Sequence, residues 1–144
     1  MSDTNKNIFE FQLTAIEILG FSLIDSTKLP EVKLFNFGVG VEARLNAEEK
    51  LLFVVSTVEI RNDDSSVLLA DIKTSCVFAI KNFDEHVKQS ASGKLEINQY
   101  LLNTLNMVSI STTRGIMFTT FKGTCVHNAI LPVIDPKDFA APKE

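Results

Sequence analysis

Cys125-Val126-His127 sets a thiol and an imidazole two residues apart. In an extended segment such residues share a face. The pair could serve as nucleophile and base, or as two soft metal ligands. Its surroundings support neither chemistry. The other Cys and His, Cys76 and His86, lack the spacing of a zinc site. No neighbouring group orients the imidazole as a base. Gly38-Val39-Gly40-Val41-Glu42-Ala43 matches the G-x-G-x-x-A pattern of dinucleotide sites. That pattern cradles a pyrophosphate only where a strand ends at the glycines and a helix begins. Here apolar alternation runs straight through, which predicts an unbroken strand whose glycines allow a bend or close approach. Asp63, Asp64 and Asp71 could pair as carboxylates, but Asn62-Asp63-Asp64-Ser65-Ser66 has the composition of a hairpin turn. The sequence therefore predicts no catalytic group, cofactor or metal.

The elements that would position any site come from patterning. A chain of 144 residues fits one domain spanning residues 1–144, with polar tails expected at 1–7 and 140–144. A domain of this size buries roughly 70% of its unfolded surface. A net charge of −4 is too mild, and of the wrong sign, for a nucleic-acid binder. Eleven Phe against one Tyr and no Trp bring apolar area without polar handles. Cys76 and Cys125 sit among apolar or β-branched residues and read as buried thiols in a reducing compartment. The N-terminus lacks the apolar core of a signal peptide, and no run approaches the roughly 18 apolar residues of a membrane span. The expectation is a cytoplasmic protein without membrane insertion.

From Ile8 the chain alternates, with Phe9, Phe11 and Leu13 apolar. The phase slips to Ile16 and Ile18, and slips again to Leu19, Phe21 and Leu23. Each slip predicts a bulge or kink, and Gly20 could supply one. Residues 26–31 form a loop. In the second strand Phe35, Phe37, Val39, Val41, Ala43 and Leu45 share one face. A third strand runs over 51–61 and a fourth over 67–80, each apolar on both faces at its start. Short turns join the last three strands into an antiparallel meander.

Residues 98–121 are the only long segment that reads as a helix, with Asn98 as N-cap. Val108-Ser109-Ile110-Ser111-Thr112-Thr113 is poor in helix formers, and a strand is the rival reading there. If helical, 24 residues span about 36 Å and overhang a sheet roughly 15–20 Å wide. After Gly123, residues 130–134 form an extended apolar run, and Asp135-Pro136 could open a helix. One helix covers one sheet face. The first, third and fourth strands carry apolar residues on both, so apolar surface is left over. Oligomerisation could bury it, or part could remain as a groove.

The order of elements, with several short matches, resembles the SecB export-chaperone family. The matches are Phe11-Gln12, Pro30-Glu31-Val32-Lys33-Leu34, Leu69-Ala70-Asp71-Ile72, Phe78-Ala79-Ile80, Leu131-Pro132-Val133, and an ungapped stretch from Asn98 to Gly115 ending in Thr113-Arg114-Gly115. Together they span roughly residues 9–135.

The resemblance implies an α+β fold, a four-stranded antiparallel sheet packed on one long helix, with the second helix truncated or absent. It implies a tetramer whose long helices lie between sheets, placing Leu101, Leu105, Val108 and Thr112 at an oligomer interface. It implies unfolded polypeptides or preproteins as partners, held without ATP in apolar grooves, with Leu29, Leu34, Phe35 and Phe37 touching the client. The rival place for Phe35 and Phe37 is the core under the helix. Leu69 and Asp71 match the Leu–acid pair with which SecB docks the SecA motor. Gly20 and Ile24 stand where SecB has acidic residues, which weakens that docking surface. About eight extra residues lie between Gly115 and Pro132. These departures leave room for a SecB-fold protein dedicated to one partner, such as an antitoxin or a phage protein. A small-ligand or enzymatic role is the third reading, and no convergent polar groups support it.

Overall fold

A computed structural model of the chain describes residues 9–25 and 32–135. Strands β1 (Phe11–Leu23), β2 (Asn36–Asn46), β3 (Leu51–Arg61) and β4 (Leu68–Ile80) come first. They build one antiparallel sheet in the order β1-β4-β3-β2. A one-turn helix α1 (Phe83–His86) and a small hairpin of β5 (Val87–Gln89) and β6 (Leu95–Ile97) lead to the long helix α2 (Gln99–Thr120). The sequence reading identifies the meander and α2, and it lacks α1 and the hairpin.

The two phase slips in the first strand are real. Its register against β4 shifts between Leu13 and Ala15 and again between Ile18 and Gly20. Thr14 and Leu19 are the extra residues. Each bulge turns the following residues over, so Phe11, Leu13, Ile16, Ile18, Phe21 and Leu23 lie opposite Ile80, Phe78, Cys76, Thr74, Ile72 and Ala70. Those β4 residues face the helix. The bulges gather most of the apolar row of β1 on the helix side, while Leu19, at the second bulge, stays exposed on the open face beside Glu17, Phe53 and Val55. β2 pairs with β3 without a shift, and its Phe37, Val39, Val41, Ala43 and Leu45 lie half-buried on the same side.

Helix α2 begins as expected, with Asn98 Oδ1 accepting the Leu101 N–H at 3.1 Å. Its weak middle is helical because its burial outweighs its propensity. Leu101, Leu105, Ile110 and Met117 are buried against the sheet, each contributing about 1.5–3 kcal/mol. Hydroxyls bond back into the helix: Ser109 Oγ to the Leu105 carbonyl, Thr112 Oγ1 to Val108 and Thr113 Oγ1 to Ser109, each at 2.8 Å. Such back-bonding favours a bend over a straight rod. The helix closes where the Phe121 N–H reaches the Met117 carbonyl, and Gly123 follows at φ +82°, the left-handed region that favours glycine.

The core has two apolar clusters. One joins Val58, Ile60 and Ile72 of the sheet to Ile110, Met117 and Phe121. The other joins Leu52, Val54 and Phe78 to Leu101, Leu105 and Phe83. Between them lie buried polar side chains, Ser56, Thr74, Asn106, Ser109 and Thr113. Thr74 and Thr113 hydroxyls meet at 2.8 Å.

Candidate functional site

The candidate site is apolar surface that the single helix leaves uncovered. β1 is an edge strand. On its helix-facing side Ile16, Ile18, Phe21 and Leu23 are exposed, Phe21 at 58% although its ring meets Phe121 edge-on at 6.2 Å. On the outer side of α2, Tyr100, Met107 and Phe118 are exposed at spacings of seven and eleven, which keeps them on one helical stripe. Beside Phe118, Ile130 is exposed, and Val133 further along is exposed as well.

The 121–135 segment is fastened to α2 by Arg114. Its Nε donates to the Leu131 carbonyl at 2.7 Å and its Nη2 to the Pro132 carbonyl at 2.9 Å. Between helix and segment lies a pocket of about 330 Å³ lined by Ser111, Arg114, Gly115, Phe118, Ala129 and Ile130. The extra residues between Gly115 and Pro132 thus build one wall of it.

The residues expected to touch a client distribute unevenly. Leu29 lies outside the described residues. Leu34 is 68% exposed. Phe35 and Phe37 are half-buried and pack against the first apolar cluster, so they belong in part to the core under the helix. The expected interface residues also divide. Leu101 and Leu105 are each 0% exposed within the single chain. They are core residues of the helix–sheet layer. Val108 and Thr112 are half-buried. The sequence-level signal missed was the other stripe, Tyr100, Met107 and Phe118, whose large apolar side chains recur at helical spacing.

The Leu–acid pair in β4 is split. Asp71 faces the open side of the sheet, where it accepts the Ser22 hydroxyl at 2.8 Å. Leu69 is 1% exposed in the first cluster. It is the unpaired residue at the register shift opposite Ile60 and Arg61, and this bulge turns it inward. The open face carries Glu17, Glu42, Arg44, Glu59 and Lys73 together with Leu19, Phe53 and Val55, which line a pocket of about 650 Å³ with Glu17 and Arg44. Arg44 Nη2 lies 3.0 Å from Glu42 Oε1, and this bond holds the Glu42 carboxyl below its usual range.

The residues whose types could do chemistry hold turns and core together instead. The His127 Nδ1 is 2.7 Å from the Thr124 carbonyl oxygen within a turn, and Cys125 packs half-buried on the first cluster. Among the described residues no three His, Cys, Asp or Glu side chains group as metal ligands. Gly38 and Gly40 lie inside β2, and no helix starts there. Asp63 and Asp64 serve the β3–β4 turn, where the Asp64 carboxylate accepts the Ser66 N–H at 2.9 Å. Burial pushes the Cys76 thiol above its ordinary range, opposed by the hydroxyls of Ser109 and Thr112 beside it. Among the described residues no helix is long and apolar enough to cross a membrane.

This architecture, a four-stranded antiparallel sheet packed on one long helix, is the SecB-like fold. Among solved structures the chain is similar to the SecB-like chaperone Rv1957 of Mycobacterium tuberculosis, solved in complex with a ChAD peptide from the Rv1956 HigA1 antitoxin. The two superpose with a TM-score of 0.59 at 11% identity, over 86% of this chain and 89% of the other. No protein-family model and no curated protein matches the chain.

Proposed function

We propose that this protein is an ATP-independent holdase that binds unfolded or exported polypeptides on apolar surface, without enzymatic activity. The observation that carries this reading is the uncovered apolar surface on a SecB-like fold, from Leu34 past the half-buried Phe35 and Phe37. An apolar client segment laid there is driven by area removed from water, about 25 cal/mol per Å² before ordering costs. Leu34, Phe35 and Phe37 are the proposed client contacts. The β1 row and the outer stripe of α2 are proposed to meet other copies in a homotetramer, with Val108 and Thr112 at the margin of that interface. The proposed compartment is the cytoplasm. Docking to a SecA-like motor would rest on Asp71 alone of the original pair. The test is light scattering of a denatured client diluted into buffer. Slowed aggregation at stoichiometric protein supports the reading, and no effect at several-fold excess overturns it.

A second reading fits equally well, since the peptide in the neighbouring structure comes from an antitoxin. Here the same surface serves one dedicated protein partner, such as an antitoxin or a phage protein. Affinity capture separates the two: one stoichiometric partner supports dedication, and a spread of unfolded chains supports the general holdase.

A further inference from the structure

The helix–sheet layer is divided by polar side chains that stability alone does not favour. Ser56 and Thr74 are directly paired on β3 and β4, and Thr74 reaches Thr113 on α2. Ser56 is 0% exposed and Asn106 3% exposed. Neither the Ser56 Oγ nor the Asn106 Oδ1 meets a hydrogen-bond partner in the chain. A buried polar atom left unpaired costs more than a paired one gains. The hydroxyls of Ser109 and Thr113 bond to carbonyls of their own helix, so they stay satisfied if the helix moves. Lifting α2 at this seam therefore breaks the Thr74–Thr113 bond and exposes two polar atoms that find no partner within the chain.

Both halves of α2 are anchored in the core, the second by Ile110, Met117 and Phe121, and they differ in intrinsic helix propensity. The first half is capped by Asn98 and anchored by Leu101 and Leu105, straight-chain helix formers with no exposure. The second half, from Ser109, carries Ser, Thr and Ile and includes Gly115, types of lower helix propensity. Its end is closed by the Phe121 N–H on the Met117 carbonyl and by the Thr124 hydroxyl, which donates to the Phe121 carbonyl at 2.7 Å.

We infer that the seam of Ser56, Thr74, Asn106, Ser109 and Thr113 is a joint, at which the second half of α2 and the segment after it part from the sheet while the first half stays docked. Opening uncovers Val58, Ile60 and Ile72 beside Phe35 and Phe37, all in one cluster. It thereby enlarges the apolar surface offered to a client. This use rests on the proposed holdase reading; the joint itself does not.

Native-state hydrogen exchange on the full chain, with no client present, tests the joint. Amides of residues 110–118 should exchange about tenfold or more faster than those of 103–106, and Ser56→Ala with Asn106→Leu should close that gap. Equal protection along α2, or a gap unchanged in the double variant, overturns the joint. Should the double variant not fold, the denaturant dependence of wild-type exchange decides. A slope for 110–118 below that of global unfolding supports partial opening, and an equal slope overturns it. A failed aggregation assay with the exchange gap present would remove the client reading and leave the joint standing.

Discussion

The Thr74 and Thr113 hydroxyls lie 2.8 Å apart, and Thr113 Oγ1 already donates to the Ser109 carbonyl. Each hydroxyl has one proton, so Thr74 must be the donor across the layer. Thr113→Val then strands a buried donor and should cost about 1–3 kcal/mol in urea denaturation. Adding Thr74→Val should return part of that loss, because two apolar groups of the same shape need no bond. A double variant less stable than the sum of the singles would contradict this assignment.

Leu105 and Met107 sit two residues apart on opposite sides of α2 and should behave oppositely. Leu105 is fully buried, so Leu105→Ala should cost about 2–5 kcal/mol. Met107 is 52% exposed, so Met107→Ser should stay within about 0.5 kcal/mol. Sedimentation should show the reverse: Met107→Asp with Phe118→Asp should yield a smaller oligomer with far-UV circular dichroism unchanged. An oligomer of unaltered size would remove the outer stripe from the interface.

Leu34 and Phe37 separate binding from stability. Leu34→Ser should weaken client holding several-fold and leave the urea midpoint in place, because the side chain is mostly solvated. Phe37→Ser should lower both, since Phe37 also packs on the first cluster. Full holding by Leu34→Ser would exclude Leu34 from the client surface.

Cys76 gives stability a pH dependence of known sign. Burial raises its pKa in the folded chain, so the folded state keeps the proton after the unfolded chain has lost it. No contribution changes below the unfolded value of about 8.5; above it stability falls, by at most about 1.4 kcal/mol per pH unit. Cys76→Ala should flatten that part of the profile. An identical slope in both proteins would mean that other groups set it.

Much of the architecture is legible in the sequence because its signals are periodic. The apolar alternation of β2 and the slips in β1 mark faces and bulges from Phe11 to Leu45. Asn98 and the 3.6-residue pattern mark α2 despite its β-branched middle. The hairpin of Val87–Gln89 and Leu95–Ile97 is hidden, since three residues with a charge in each strand give too short a period. The core placement of Leu101 and Leu105 is hidden for a different reason. A helix sequence shows which residues are apolar, but two apolar stripes compete here, and only the sheet decides which one it takes. The burial of Leu69 is hidden because a bulge in β4 is not marked by any break in its apolar run.

The two bulges of β1 also say where this chain can lose length. Thr14 and Leu19 have no partner on β4, although the Thr14 hydroxyl reaches the Val77 carbonyl at 3.1 Å. Removing either one leaves every remaining pair opposite its present neighbour. Removing a paired residue far from both would turn a whole stretch of side chains inside out. Deletion tolerance along β1 should therefore peak at two points, a footprint of the sheet's geometry that substitution data alone would not show.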